Sequence, residues 1–192
     1  MQTTGNTLRI AVVVEGFPRL SETFILDQIT GLIDRGHDVS IVAAERSGDA
    51  SCHDAVRRYS LPNRTTWVSV PWGLCMRCIG ALPRIGRLAF AHPFGTAGAL
   101  DVFSRGRLAG SLRLLYWYDV FADSGFDIIH CHFGPTGIIG AHLKSLGVPG
   151  KLVTTFHGYD AGIYPHEHGA GVYRELFRRG DLFTVNTEYT LR

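Results

Sequence analysis

The chain has 192 residues, 45% hydrophobic and 19% charged, with a formal net charge of +2. That length and apolar content suffice for one compact domain with a core, and they exclude a disordered or low-complexity chain. The N-terminal apolar run of about five residues is too short for a signal peptide, and no stretch reaches the ~18 apolar residues of a membrane span. Cys52, Cys75, Cys78 and Cys131 therefore read as reduced thiols of a cytoplasmic protein. In chain order, "LRIAVVV" reads as a buried parallel strand over residues 8 to 14, closed by Gly16 and Pro18. A helix follows, with Phe24, Ile25, Gln28, Ile29 and Leu32 at helical spacing, Ser21 as its N-cap and Gly36 past its end. "DVSIVAA" is a second strand, residues 54 to 59 a short helix and "TTWVSVP" a third strand.

Residues 72 to 123 are apolar and basic, and they predict two or three helices broken by Pro83, Pro93 and glycines. "FDIIHCHF" is then a strand, "PTGIIGAHLKSLGVPG" a helix opened by Pro135, and "KLVTTFHG" a strand. "EHGAGVYRELFRRGD" predicts a helix and "LFTVNTE" a last strand. The alternation predicts an α/β fold, a doubly wound, mostly parallel, Rossmann-like sheet. Ligands of such sheets gather at the carboxyl ends of the strands. Three loops fall there: "EGFPRLSET", "HFGPTG" and "HGYDAG", whose glycines permit close backbone approach to a ligand.

The phrases "FPRLSETFILDQITGLIDRGHDVSIVA", "DIIHCHFG", "TFHGYD" and "GDLFTVNTEYTLR" cover most of the chain. With them the chain resembles the N-terminal domain of a GT-B fold, family 4 glycosyltransferase of the colanic acid or exopolysaccharide type. The resemblance is weakest over residues 44 to 123. It implies a single Rossmann-like acceptor-side domain over residues 1–192, half of a two-domain enzyme. No E-x7-E-type donor motif follows in this chain, so the C-terminal donor-binding domain is expected to be a missing partner and the chain inactive alone. The resemblance also implies a retaining, nucleotide-sugar-dependent hexosyl transfer in bacterial cell-surface glycan synthesis, with a sugar or polyprenyl-linked acceptor. It implies no cofactor and no bound metal, so positive groups and helix N-termini must meet the leaving diphosphate.

Residue roles follow from both sources. His157, matching a cleft histidine of the family, is expected to hydrogen-bond the donor sugar or a phosphate; the alternative is a strand-end histidine satisfied by backbone. Asp160 either accepts a sugar hydroxyl, orients His157 or caps its own turn. His130 and His132 lie two apart and share one strand face, with Cys131 on the other. Two ligands do not make a metal site, so His132 beside Gly134 reads as an acceptor contact and His130 as core. Gly16, Arg19, Ser21, Glu22 and Gly158 complete the substrate-binding set: Ser21 caps a helix whose N–H groups attract an anion, Arg19 meets a phosphate or carboxylate, and Glu22 accepts a sugar hydroxyl. Cys75 and Cys78 lack a second CxxC and read as core cysteines.

Residues 57 to 118 hold nine arginines and one acid, Asp101, a local charge of about +8 that leaves about −6 for the remainder. Within it, "WGLCMRCIGALPRIGRLAFAHPF" reads as an amphipathic basic helix, either lying on an anionic membrane surface or packed on the sheet with its arginines in water. A membrane partner makes the protein peripheral on the inner face of the plasma membrane. The alternative function is a non-catalytic Rossmann-like binding or regulatory module. The absence of a P-loop, a G-x-G-x-x-G and a nucleophile elbow disfavours other doubly wound enzymes, and no recognition motif supports nucleic acid.

Overall fold

A computed structural model describes residues 6–19, 21–47 and 53–186. Cys52 and the close of the last quoted phrase, residues 187–192, lie outside the described residues. Six strands, β1 (Arg9–Phe17), β2 (Asp38–Arg46), β3 (Thr65–Trp67), β4 (Ile128–His132), β5 (Lys151–Phe156) and β6 (Leu182–Val185), form one sheet in the order β3-β2-β1-β4-β5-β6. Every pairing is parallel. This is the doubly wound order, with its switch point between β1 and β4.

The β1 run forms the centre because both of its faces are apolar. Strand alternation sends Ile10, Val12 and Val14 to one core and Ala11 and Val13 to the other. On the first face lie α1 (Thr23–Asp34) and α2 (Asp54–Arg58). The opposite face carries α6 (Arg113–Phe121), α7 (Gly134–Ser145) and α9 (Arg174–Arg179). Around α6 pack α3 (Leu74–Ala91), α4 (Pro93–Leu100) and α5 (Val102–Gly110); α8 (Tyr159–His168) follows β5. Leu114, Leu115, Tyr116, Trp117, Tyr118 and Phe121 bury α6 on all sides, as an apolar helix at the centre of a layer must be.

Several boundaries differ from the sequence reading. β1 extends to Phe17, so Gly16 is a paired strand residue opposite Glu45 rather than a loop glycine. Glu22, not Ser21, occupies the N-cap of α1, and no side chain caps that end. Residues 72 to 123 form four helices rather than two or three, and Pro83 sits inside α3 instead of ending it. Packing of Ala81 and Leu88 carries that helix through the proline. The helix expected over residues 167 to 181 is confined to α9, while α8 begins within the "HGYDAG" stretch read as a loop and ends at His168. Cys75 and Cys78 are exposed, not core. Cys131 is buried, and its thiol is pushed up to about 12 by that burial.

Candidate functional site at the switch-point rim

The ends of β1, β4 and β5 lie side by side at one rim, and the three loops read from the sequence converge there. Period-two alternation turns His130 and His132 to the α1 face and Cys131 to the other core. Their imidazoles stack at 4.6 Å between centroids, and His132 stacks in turn on His157 at 5.3 Å. His132 Nδ1 and His157 Nε2 share a hydrogen bond of 3.1 Å.

The far end of this column is also held. The Gln28 amide donates to His130 Nδ1 (3.4 Å), which leaves Nε2–H of His130 to donate to Thr155 Oγ1 (2.8 Å). Thr155 in turn bonds Thr184 at 2.7 Å. Burial lowers all three imidazole pKa values. His130 falls to about 4, with the charge of His157 second, and His132 falls to about 3, with its two neighbours second. His157 is lowered by burial, opposed by Asp160. The column is therefore neutral at neutral pH.

His132 is 1% exposed and its Nε2 has no hydrogen-bond partner among the described residues. The fully covered ring meets His157 rather than open solvent, so His132 presents no open edge at the rim for the acceptor contact expected of it. His157 is half-buried, flanked by Phe24 at 4.5 Å and Phe133 at 4.6 Å. With Nε2 committed to His132, its remaining polar ring atom is Nδ1.

Asp160 is 0% exposed. One carboxylate oxygen accepts the Gly134 N–H and the other the His157 N–H, both at 2.8 Å. Tyr173 donates its hydroxyl to the Asp160 carbonyl at 2.7 Å. A buried carboxylate saturated by backbone donors ties the β4–α7 turn to the β5–α8 turn, and it fills the anion position that the start of α7 would otherwise offer. It fits the orienting and turn-capping roles and leaves no oxygen facing a sugar.

The three rim glycines have three different reasons. A Cβ at Gly134 would lie 2.3 Å from the Tyr173 hydroxyl and 2.4 Å from its Cζ, so glycine there admits the tyrosine ring. A Cβ at Gly16 would meet the Arg19 side chain at 2.7 Å. Gly158 alone has open space around it, and its φ of +106° demands glycine.

Arg19 pairs with Glu15 (3.3 Å), Glu22 (3.2 Å) and Glu45 (3.9 Å). Three carboxylates around one guanidinium leave the β1–α1 corner net negative, which suits hydroxyl groups and opposes the phosphate or carboxylate expected of Arg19. Burial raises the Glu22 carboxyl, opposed by Arg19. Ser21 is exposed in the turn before α1. Phe24, Gln28, Phe133, Thr155 and Thr184 are site residues that the sequence reading did not single out. Phe24 and Gln28 looked like ordinary positions of a helical apolar stripe, and only the neighbouring strands reveal their partners. No group of three His, Cys, Asp or Glu side chains with the geometry to hold a metal ion occurs among the described residues.

A doubly wound parallel sheet with a polar cluster at its switch-point rim defines a Rossmann-like α/β domain of the type that makes one half of a GT-B fold. The chain belongs to the glycosyl transferase 4-like domain family, whose profile matches residues 21–192. It is 37% identical over 185 residues to the colanic acid biosynthesis glycosyltransferase WcaL of Salmonella typhimurium, covering 91% of this chain and 44% of the relative. Against WcaL of Escherichia coli the identity is 35% over 181 residues, with the same coverage. The amylovoran biosynthesis glycosyltransferase AmsK of Erwinia amylovora is 36% identical over 155 residues, 75% of this chain and 36% of the relative. The chain thus spans less than half the length of the curated relatives it matches.

Proposed function

We propose that this chain is the acceptor-side half of a retaining, nucleotide-sugar-dependent hexosyltransferase of bacterial exopolysaccharide synthesis. The observation that carries the reading is His157: half-exposed at the switch-point rim, held on Nε2 by His132, and clamped through its backbone by Asp160. In this role Nδ1 of His157 faces the cleft and hydrogen-bonds the sugar undergoing transfer, while Phe24 and Phe133 keep water off the ring. The negative corner of Glu15, Glu22 and Glu45 around Arg19 accepts hydroxyls of a sugar or polyprenyl-linked acceptor. The donor nucleotide belongs to a C-terminal domain beyond this chain, without which transfer does not occur. The reading includes no metal cofactor: helix N-termini and basic groups of the donor half meet the diphosphate. The names of the relatives support the pathway class, and a membrane-linked acceptor places the protein in the cytoplasm against the inner face of the plasma membrane.

The test is His157→Ala in a polypeptide carrying both halves. Transfer should fall by about 100-fold or more, with circular dichroism unchanged. Unaltered turnover would remove His157 from the site.

A further inference from the structure

His132 is the most enclosed ring of the histidine column, 1% exposed against 7% for His130, with His157 half-buried. Its two nitrogens are used unequally. Nδ1 shares the 3.1 Å hydrogen bond with Nε2 of His157, whereas Nε2 is buried with no partner among the described residues. His130 only stacks on it, having spent its own nitrogens on Gln28 and Thr155. A histidine whose buried nitrogen goes unmatched is a poor choice for packing alone. Phenylalanine would fill much the same space without that cost.

The shared bond holds one proton, and its position decides what His157 offers at the rim. Burial lowers the pKa of both rings and keeps them uncharged at neutral pH. A neutral imidazole carries a proton on one nitrogen only. If His157 donated from Nε2, its Nδ1 would be a bare lone pair. His132 would then carry its own proton on Nε2, as an enclosed N–H without an acceptor. If His132 donates from Nδ1 instead, its Nε2 keeps only an unmatched lone pair, and His157 carries its proton on Nδ1. Enclosed N–H groups without acceptors are the rarer defect in folded proteins.

A second observation favours the same arrangement. Nδ1 is bonded to Cγ and is the ring nitrogen nearer the main chain. There the Asp160 carboxylate accepts the His157 N–H at 2.8 Å, and its charge opposes the lowering of the His157 pKa. A carboxylate on that side attracts a proton on Nδ1 and repels a lone pair. Nδ1 of His157 has no hydrogen-bond partner among the described residues and is not enclosed, so it is open to a ligand.

We propose that His132 is a positioning residue: it donates from Nδ1, fixes His157 as the Nδ1–H tautomer, and so makes His157 an uncharged hydrogen-bond donor to an oxygen of the sugar. The ligand half of this inference rests on the glycosyl-transfer reading; the tautomer half rests on bonding within the fold. The neighbourhood suits a sugar rather than a phosphate. Phe24, which touches the His157 ring, lies two residues past Glu22, and Glu22 belongs to the negative corner around Arg19. The absence of charge on the ring also matters to the reaction. An imidazolium beside the sugar would repel the positive carbon of an oxocarbenium-like transition state, whereas a neutral N–H holds the sugar without adding positive charge. No proton changes hands.

Ring-nitrogen NMR of the chain carrying isotope-labelled histidine tests the tautomer, because protonated and bare ring nitrogens resonate far apart. At neutral pH His157 and His132 should each show a protonated Nδ1 and a bare Nε2, and His130 the reverse. A His157 proton on Nε2, the common form of free neutral histidine in water, would overturn the proposal. His132→Phe keeps a planar ring in the stack and removes both nitrogens. In that variant the His157 proton should move to Nε2, with the melting temperature preserved or raised. A folded variant with the His157 tautomer unchanged would overturn the role of His132; if the variant does not fold, the parent spectrum decides alone. In a polypeptide carrying both halves, His132→Phe should lower kcat by about tenfold or more, as loss of an imidazole-orienting partner does, with KM changed less. Unchanged kcat would remove His132 from the reaction. Full turnover in His157→Ala would take away the ligand half, whatever the spectrum shows. Transfer lost in His157→Ala beside a His157 protonated on Nε2 would sink this inference alone, leaving the glycosyl-transfer reading in place.

Discussion

His130 and His132 set how the domain meets acid. Their imidazoles are held at about 4 and about 3, below the ordinary 6.5, mainly by burial. The unfolded chain therefore takes up protons that the folded chain refuses. Their stability contribution is intact above pH 6.5 and is lost as pH falls from there toward 4. At pH 5 each costs about 2 kcal/mol, so urea unfolding should show a stability drop of several kcal/mol between pH 7 and pH 5, and a flat profile would contradict the buried column. Asp160→Asn keeps one acceptor oxygen where the carboxylate offers two, leaving one of the Gly134 and His157 N–H groups unmatched. A loss of about 1–3 kcal/mol is expected in the same assay. His130 and His132 sharing a face followed from strand alternation, and both were legible in "IIHCHF". The partners were not: Gln28 is 102 positions from His130 and Thr155 is 25, and nothing local marks either pairing.

The helices and strands mostly stand where periodicity puts them, and their exceptions have tertiary causes. Ser21 is a good capping residue by type, but the chain turns one position later and Glu22 holds the cap. Pro83 should end a helix, yet α3 runs on because its inward side packs on α6. Glycines divide in the same way. Gly134→Ala would drive a Cβ into the Tyr173 ring, at 2.4 Å from Cζ, and should cost about 1–3 kcal/mol or more. Gly162→Ala, inside α8 with no atom within 4 Å of the added carbon, should instead stabilise by up to about 1 kcal/mol. Thermal unfolding of the two variants separates them: shifts of the same sign would mean that Tyr173 does not occupy the Gly134 space. Phe121 is fully buried and packed on Trp117 and Phe126, and about 3–5 kcal/mol is expected for Phe121→Ala.

In the whole molecule, a long helical excursion from β3 to β4 crosses the sheet and creates the switch point where the three turns meet. That excursion carries the basic block, and here charge counting alone misleads. Residues 57 to 118 sum to about +8, but Asp119 and Asp123, just past that window, neutralise Arg84 and Arg87. What the linear pattern presents as an arginine face in water becomes a flank tied to acids, and apolar side chains of the same helix are exposed, as are Cys75 and Cys78. The sequence by itself determined the parallel α/β class, the rim loops and the shared face of His130 and His132, because hydrophobic period and turn chemistry act over a few neighbouring residues. Only the tertiary structure decided that Asp160 is a buried clamp, that Arg19 is already neutralised, that His157 rather than His132 keeps partial contact with solvent, and that the long basic helix leaves apolar side chains exposed. Each of those depends on which distant residue fills the space next to a side chain, and packing settles that only when the whole chain has folded.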